Sequence, residues 1–200
     1  MNDLENQVEP FLGPMIGGAR GRLNPRDQVD LAKWAAKTAI IRSYLDIDRS
    51  IERSTELSLK ATPRLDEKWT VRIGKSYTPT VVDRTQHSSM FFGVRSDKSR
   101  EPNIFIQQHT MAIGQVFLVT VCVSGESRFT HLVRQFVNNL IAGAAPQLKM
   151  LGQRFPIVWP SQTEVTDADI GSILALGENM QALVNQAASA ISGARLRRET

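Results

Sequence analysis

The run GQVFLVTVCV, residues 114–123, constrains the fold of this chain more than any other stretch. It holds four valines and only two polar side chains, and β-branched residues favour strands. A strand that lacks the alternation of polar and apolar residues is typical of burial on both faces. We therefore predict that this run forms a central strand and that other elements cover both faces of its sheet.

Three further β-type runs lie upstream of this strand: TVRIG, SSMFFGV and NIFIQQ. Polar, turn-rich segments separate them, so the sequence predicts several short strands of an antiparallel sheet. The segment RSDKSREPN, between the second and third runs, is predicted to be a loop. It carries the basic residues Arg95, Lys98 and Arg100.

Apolar residues at helical spacing flank the strands on both sides. Near the N-terminus they predict a short helix that Pro10 and Pro14 should end or kink. Asn24 as N-cap and Pro25 at the first helical position predict a long helix to about Leu45, which we expect to pack on the sheet. After the strands, the pattern predicts a helix within RFTHLVRQFVNNLIAGAA and one or two helices near the C-terminus.

This order of elements predicts an α+β fold with N-terminal helices, a central antiparallel sheet and C-terminal helices. It disfavours a doubly wound nucleotide-binding fold, which needs strands and helices in alternation. A chain of 200 residues usually forms one domain. We expect a single α+β domain over residues 1–194, followed by a basic tail over residues 195–200.

The amino-acid composition limits the cellular compartments and the binding partners that we expect for this protein. The net charge of +4 permits binding to nucleic acid without requiring it. The single cysteine, Cys122, excludes an internal disulfide and zinc sites built from cysteine pairs, and it fits a reducing compartment. No signal-peptide pattern opens the chain, and its longest apolar run is about half of the ~20 residues that span a bilayer. We expect a soluble, cytoplasmic protein without a membrane partner.

Few residues suggest catalysis or metal binding. The sequence contains no HExxH motif and no P-loop. His87 and Asp83 could bind a metal ion only if His109 approached them from a neighbouring strand. The favoured interpretation is instead that these histidines lie on the surface or on an edge strand. Asp167 and Asp169, like the pair Asp46 and Asp48, are interpreted as helix caps. We predict no catalytic, cofactor-binding or metal-binding residue.

Clustered arginines give the only signal for a ligand. Guanidinium groups bind phosphate bidentately, and several contacts together give salt-dependent binding to nucleic acid. DNA or RNA is therefore one candidate partner, held through phosphate contacts, and another protein chain is a second. The candidate nucleic-acid-binding residues are Arg20, Arg22 and Arg26 in the connector before the long helix, and Arg195, Arg197 and Arg198 in the tail.

Three short motifs resemble the region that follows the HNH segment in actinobacterial and phage HNH-endonuclease-like proteins. MNDLE is similar to the end of a C-N-x-G-W-M-x-x-L-E pattern in that family, WAAKT is similar to its W-x-x-K-T helix, and IVWP is similar to a later W-P element. The matching residues are Met1, Leu4, Glu5, Trp34, Lys37, Thr38, Ile157, Trp159 and Pro160. The resemblance attaches no catalytic role to Trp34 or Lys37, which we interpret as a buried tryptophan beside a lysine that extends to solvent.

The chain begins where the HNH segment of these proteins ends, and no Cys/His array replaces that segment. We therefore expect Met1 to be an internal methionine of a longer ancestral frame, or a mis-assigned start. The leading hypothesis is a non-catalytic binding or interaction module related to the companion domain of HNH-like endonucleases. One alternative is a truncated or split HNH endonuclease whose catalytic segment is missing from this chain. Another is a phage or bacterial accessory factor that binds a protein.

Overall fold

The computed structural model has an α+β fold, with helices at both ends of the chain and antiparallel strands between them. It describes residues 3–44, 59, 65–92, 104–125 and 130–196, without the side chains of residues 78–85, 87–92, 181 and 184–196. This confirms the predicted fold class. The elements are α1 (Asp3–Ile16), β1 (Gly21–Leu23), α2 (Pro25–Ser43), β2 (Trp69–Phe92), β3 (Ile104–Ser124), α3 (Thr130–Ala144), β4 (Lys149–Met150), β5 (Ile157–Trp159) and α4 (Asp167–Leu196).

A long antiparallel hairpin of β2 and β3 dominates the sheet, with Trp69 opposite Cys122 at one end and Phe92 opposite Ile104 at the other. The four predicted short strands are therefore parts of two long ones. The segment RSDKSREPN lies outside the described residues. Residues 116–124 are buried, as predicted. Their predicted central position is wrong, because β2 is the middle strand of the described order β3–β2–β4. Helices on both faces can bury a strand whatever its place in the sheet.

An irregularity divides the hairpin into two parts. From Lys75 to Arg84 β2 advances nine residues, while the paired β3 advances only four, from Val116 to Ala112. Side chains on one face of a regular strand are an even number of residues apart, but Ala112 and Phe117, five residues apart, belong to the same apolar cluster. The alternation of β3 therefore changes phase here. Gly114 lies at the change, with φ of 52°. A Cβ at this position would lie 2.4 Å from the carbonyl oxygen of Ile16, so the end of α1 requires glycine here.

The hairpin separates two apolar cores. The N-terminal core is formed by α1, α2, β1, β5 and one face of the hairpin, and it confirms that α2 packs on the sheet. The C-terminal core is formed by α3, α4 and the other face. Central residues of the N-terminal core are Val8, Leu12, Leu23, Leu31, Ala35, Val71, Ile73 and Trp159. Central residues of the C-terminal core are Ile106, Phe117, Val119, Val121, Val137, Ile141 and Ile173.

Local sequence signals determine where the helices begin. Asn24 caps α2 by accepting hydrogen bonds from the backbone of Arg26 and Asp27, and the Asp27 carboxylate accepts one from the Asn24 backbone. Thr166 and Asp169 form the same reciprocal pair at the start of α4. The hydrogen bond from the Thr166 hydroxyl is the main cause of the lowered pKa of Asp169. Asp169 therefore has the capping role that we predicted.

Two helix boundaries differ from expectation. The first helix continues through Pro10 and Pro14 and ends only at Ile16, because its apolar side is buried against α2 and the hairpin, and tertiary packing overrides local propensity. At the other end of the chain, α4 is one continuous helix that reaches Leu196. Arg195 therefore belongs to a helix, where the sequence predicted the start of a tail.

Candidate nucleic-acid interface

The predicted arginine cluster lies beside a small two-stranded ribbon. In this ribbon Arg22 of β1 pairs with Val158 of β5. Their neighbours Leu23 and Trp159 are buried, whereas Arg22 and Val158 are exposed. Since directly opposed residues of antiparallel strands share a face, Arg22 and Val158 lie side by side on the outer face of the ribbon.

The other two arginines of the connector flank this ribbon along the chain. Arg20 is exposed just before β1, and Arg26 is exposed in the first turn of α2. The Arg26 side chain is 85% exposed and lies 3.9 Å from the Asp30 carboxylate. An ion pair this long and exposed contributes little energy. Arg26 can therefore exchange this carboxylate for a phosphate at small cost.

A buried glutamine brings a second segment of the chain to the connector. Gln28 is fully buried, and its side-chain amide donates to the carbonyl oxygens of Leu23 at 3.2 Å and Phe155 at 2.8 Å. Its Oε1 accepts a hydrogen bond of 3.0 Å from the backbone of Gln153. Because one side chain binds both segments, residues 153–155 are fixed next to β1 and the start of α2.

This contact adds Arg154 and Phe155 to the candidate site, and both are exposed. Sequence reasoning missed these two residues. A signal was present, because the chain has no acidic residue between Glu126 and Glu164, so this stretch can contribute only positive charge. We call the set Arg20, Arg22, Arg26, Arg154 and Phe155 the connector surface.

The remaining predicted arginines do not join the connector surface in the part of the chain that the structure describes. Arg195 is placed only as a backbone position near the end of α4. Arg197 and Arg198 lie outside the described residues, as do Arg95, Lys98 and Arg100. The structure therefore brings together the connector half of the predicted set and adds a second basic segment to it.

The residues that carry the family resemblance have structural contacts in the N-terminal core. Trp34 is partly buried against that core, and the Thr38 hydroxyl donates to the Trp34 carbonyl oxygen at 2.9 Å. Lys37 forms an ion pair with Glu5 of α1. Trp159 is buried and precedes Pro160 through a cis peptide bond. These contacts connect α1, α2 and β5 to one another and to the hairpin.

The histidines considered for metal binding are only partly brought together. His87 and His109 are directly opposed on β2 and β3. His109 is buried and does not lie on the surface, but it lies on β3, an edge strand of the described order β3–β2–β4, as the second predicted alternative has it; His131 is exposed on α3. Among the described side chains, no group of three or more His, Cys, Asp or Glu residues is placed to hold a metal ion.

Within the described parts of the chain, no helix combines the length and the apolar character needed to cross a membrane. Comparison with protein-family models, curated proteins and solved structures finds no match. The case for a function therefore depends on the residues of the connector surface.

Proposed function

We propose that this protein is a non-catalytic binding module that contacts the phosphate backbone of nucleic acid through the connector surface. The observation that carries the proposal is that four exposed arginines lie on two distant segments of the chain that Gln28 holds next to each other. Guanidinium groups bind phosphate oxygens in pairs of hydrogen bonds. Each phosphate contact releases condensed counterions, so a few such contacts supply non-specific affinity.

The proposed binding is weak and has no sequence preference. A helix that reads bases presents several side chains to the major groove, usually from its N-terminal turns. The first turns of α2 instead carry Asp27 and Asp30 next to Arg26, and carboxylates so close to phosphates oppose deep entry into a groove. Contacts to phosphate alone carry no base information.

The resemblance to HNH-endonuclease-like proteins is consistent with this role. A companion domain that holds nucleic acid without cutting it would complement a nuclease segment, whether that segment belongs to a longer frame or to a separate chain. A second candidate function is binding to another protein. The exposed apolar side chains of Phe155 and Val158 favour that candidate, because aromatic and apolar groups on a surface are typical of interaction sites.

Fluorescence anisotropy with labelled DNA at several salt concentrations tests the proposal. We expect affinity to fall with salt, with a log–log slope of roughly 0.9 for each phosphate contacted. A variant with Arg20→Gln, Arg22→Gln and Arg26→Gln should reduce that slope by up to about 2.7 and weaken all sequences equally.

Arg42→Gln is the matched control for Arg26→Gln. Both arginines are exposed on α2, and they are 16 positions apart, which corresponds to about 24 Å along the helix. Arg42→Gln should leave binding almost unchanged. No binding at low salt would contradict the proposal and favour the protein partner. Tight, sequence-selective binding that resists salt would also contradict it.

A further inference from the structure

Phe155 is the feature of the connector surface that phosphate binding does not use. It is 79% exposed, the highest value among the large hydrophobic residues whose side chains the structure describes. We infer that the connector surface prefers single-stranded nucleic acid and that Phe155 is the platform on which one unpaired base stacks. This inference rests on the proposed function and names its substrate class.

The backbone that carries Phe155 is held rigidly. Gln28 binds the carbonyl oxygen of Phe155 and the backbone N–H of Gln153, so both ends of this short stretch are fixed to a buried side chain. Pro156 follows, and a residue before proline is restricted to extended conformations. Because the backbone is already fixed, stacking has to order only the side-chain torsions of Phe155, which lowers the entropic cost of binding.

Exposed arginines lie on the two segments that meet at Phe155. Arg154 precedes it in the chain, and Arg22 lies opposite Val158, three residues beyond it. A single exposed apolar side chain needs no explanation in itself. An exposed aromatic ring beside basic segments, with no acidic residue in its own segment, combines the two elements that bind single strands: basic residues for phosphates and a face for bases.

Duplex DNA cannot use this ring in the same way. Paired bases already stack on one another, and a side chain that separates them must overcome the energy of that stacking. A single strand presents base faces freely, and every base has such a face, so the preference for single strands requires no sequence preference. The stacking does not involve the 2′-hydroxyl, so DNA and RNA single strands should bind alike.

The test compares four labelled ligands by anisotropy at one low salt concentration: a DNA single strand, an RNA strand of the same sequence, the DNA duplex, and an abasic DNA strand of the same length. The abasic strand keeps the phosphates and lacks the base faces. The wild-type protein should bind both base-bearing strands roughly 5- to 150-fold more tightly than the abasic strand, the range expected for one stacked base. It should also bind them more tightly than the duplex.

Variants at Phe155 then test whether this residue causes the preference for base-bearing strands. Phe155→Ala and Phe155→Leu should lose most of the preference for base-bearing strands and keep the binding of the abasic strand. Phe155→Trp should keep the preference. Tyr77→Ala is the matched control, because Tyr77 is an exposed aromatic on β2 outside the connector surface, and it should behave as wild type. Circular dichroism checks that each variant is folded.

The outcomes distinguish failure of the stacking inference from failure of the proposed function. Equal wild-type binding of base-bearing and abasic strands, or an undiminished preference in Phe155→Ala, would overturn the stacking inference. An equal loss in Tyr77→Ala would overturn it too. If the connector arginines still controlled binding in those cases, the proposed function would stand. Absence of binding to all four ligands at low salt would overturn the proposed function and the inference with it.

Discussion

Lys37 of α2 donates a hydrogen bond to the Glu5 carboxylate of α1. This bond is the main cause of the lowered pKa of Glu5. A carboxyl group whose pKa is lower in the folded protein stabilises the fold above its unfolded pKa, about 4.3 for Glu, and this contribution is lost as the pH falls through the folded value. The pair thus joins two helices of the N-terminal core in a pH-dependent way.

We predict that Glu5→Gln lowers the free energy of unfolding at neutral pH by up to about 1 kcal/mol, because the pair is partly exposed to solvent. The difference from wild type should disappear as the pH is lowered below 4.3, about the ordinary Glu pKa. Urea unfolding at a series of pH values measures both effects. Glu9→Gln, which removes an exposed carboxylate from the same helix, is the control. If the free energy of unfolding of Glu5→Gln stayed below that of wild type at low pH, this account would be contradicted.

Gln28→Leu should destabilise the protein by about 2–4 kcal/mol. The leucine has a similar volume, but it removes the buried hydrogen bond to the Leu23 carbonyl oxygen and the two partly buried bonds to Phe155 and Gln153. An unsatisfied buried group costs about 1–3 kcal/mol, and a partly buried group costs less. Chemical unfolding measures the loss. Gln135→Leu, at an exposed position of α3, should change stability little. Equal stabilities of the two variants would show that the Gln28 hydrogen bonds do not matter.

Val119→Asp should prevent folding. Val119 is 1% exposed in the C-terminal core. Domains are stable by only ~5–15 kcal/mol, and an unpaired carboxylate buried in the core would remove most or all of that stability. Val158→Asp provides the comparison, because Val158 is exposed on β5. We expect only the second variant to be soluble and to melt cooperatively. A soluble Val119→Asp protein with the wild-type melting temperature would refute the assignment of the core.

Thr166→Ala removes the side chain that caps α4 and should cost about 1 kcal/mol. Thr166→Ser keeps the hydroxyl group and should recover most of this stability. Ser172→Ala, on the exposed face of the same helix, is a second reference. Thermal unfolding of the three variants distinguishes a capping role from a general effect of substitution in α4, which would lower all three melting temperatures alike.

We predict that this 200-residue chain does not nick supercoiled plasmid in the presence of magnesium, manganese or zinc. An HNH site needs a general-base histidine beside metal-binding groups. His109 is buried, and the described side chains form no group of three metal-binding residues. Metal-dependent nicking that co-purifies with the protein and is lost in His87→Ala or His109→Ala would overturn this prediction.

Local signals in the sequence predicted the structure well where the determinants are neighbours in the chain. Asn24 and Pro25 predicted the start of α2, and the valines around Val119 predicted a strand buried on both faces. The sequence did not reveal that Phe155 lies next to the connector, because a hydrogen bond between residues 127 positions apart creates that contact. Polar residues in the middle of β2 concealed its length, since pairing with β3 is interrupted there and resumes at Arg84.

The change of phase at Gly114 sets a parity rule for the hairpin. Ile104 and Ile106 face the C-terminal core from even positions, whereas Phe117 and Val119 face it from odd ones. Deleting or inserting one residue elsewhere in β3 would turn one end of the strand over, because a shift of one residue moves every side chain to the opposite face. A deletion of one residue at the irregularity itself would instead leave both ends facing the same core, so Gly114 marks the place where this strand can change length by an odd number.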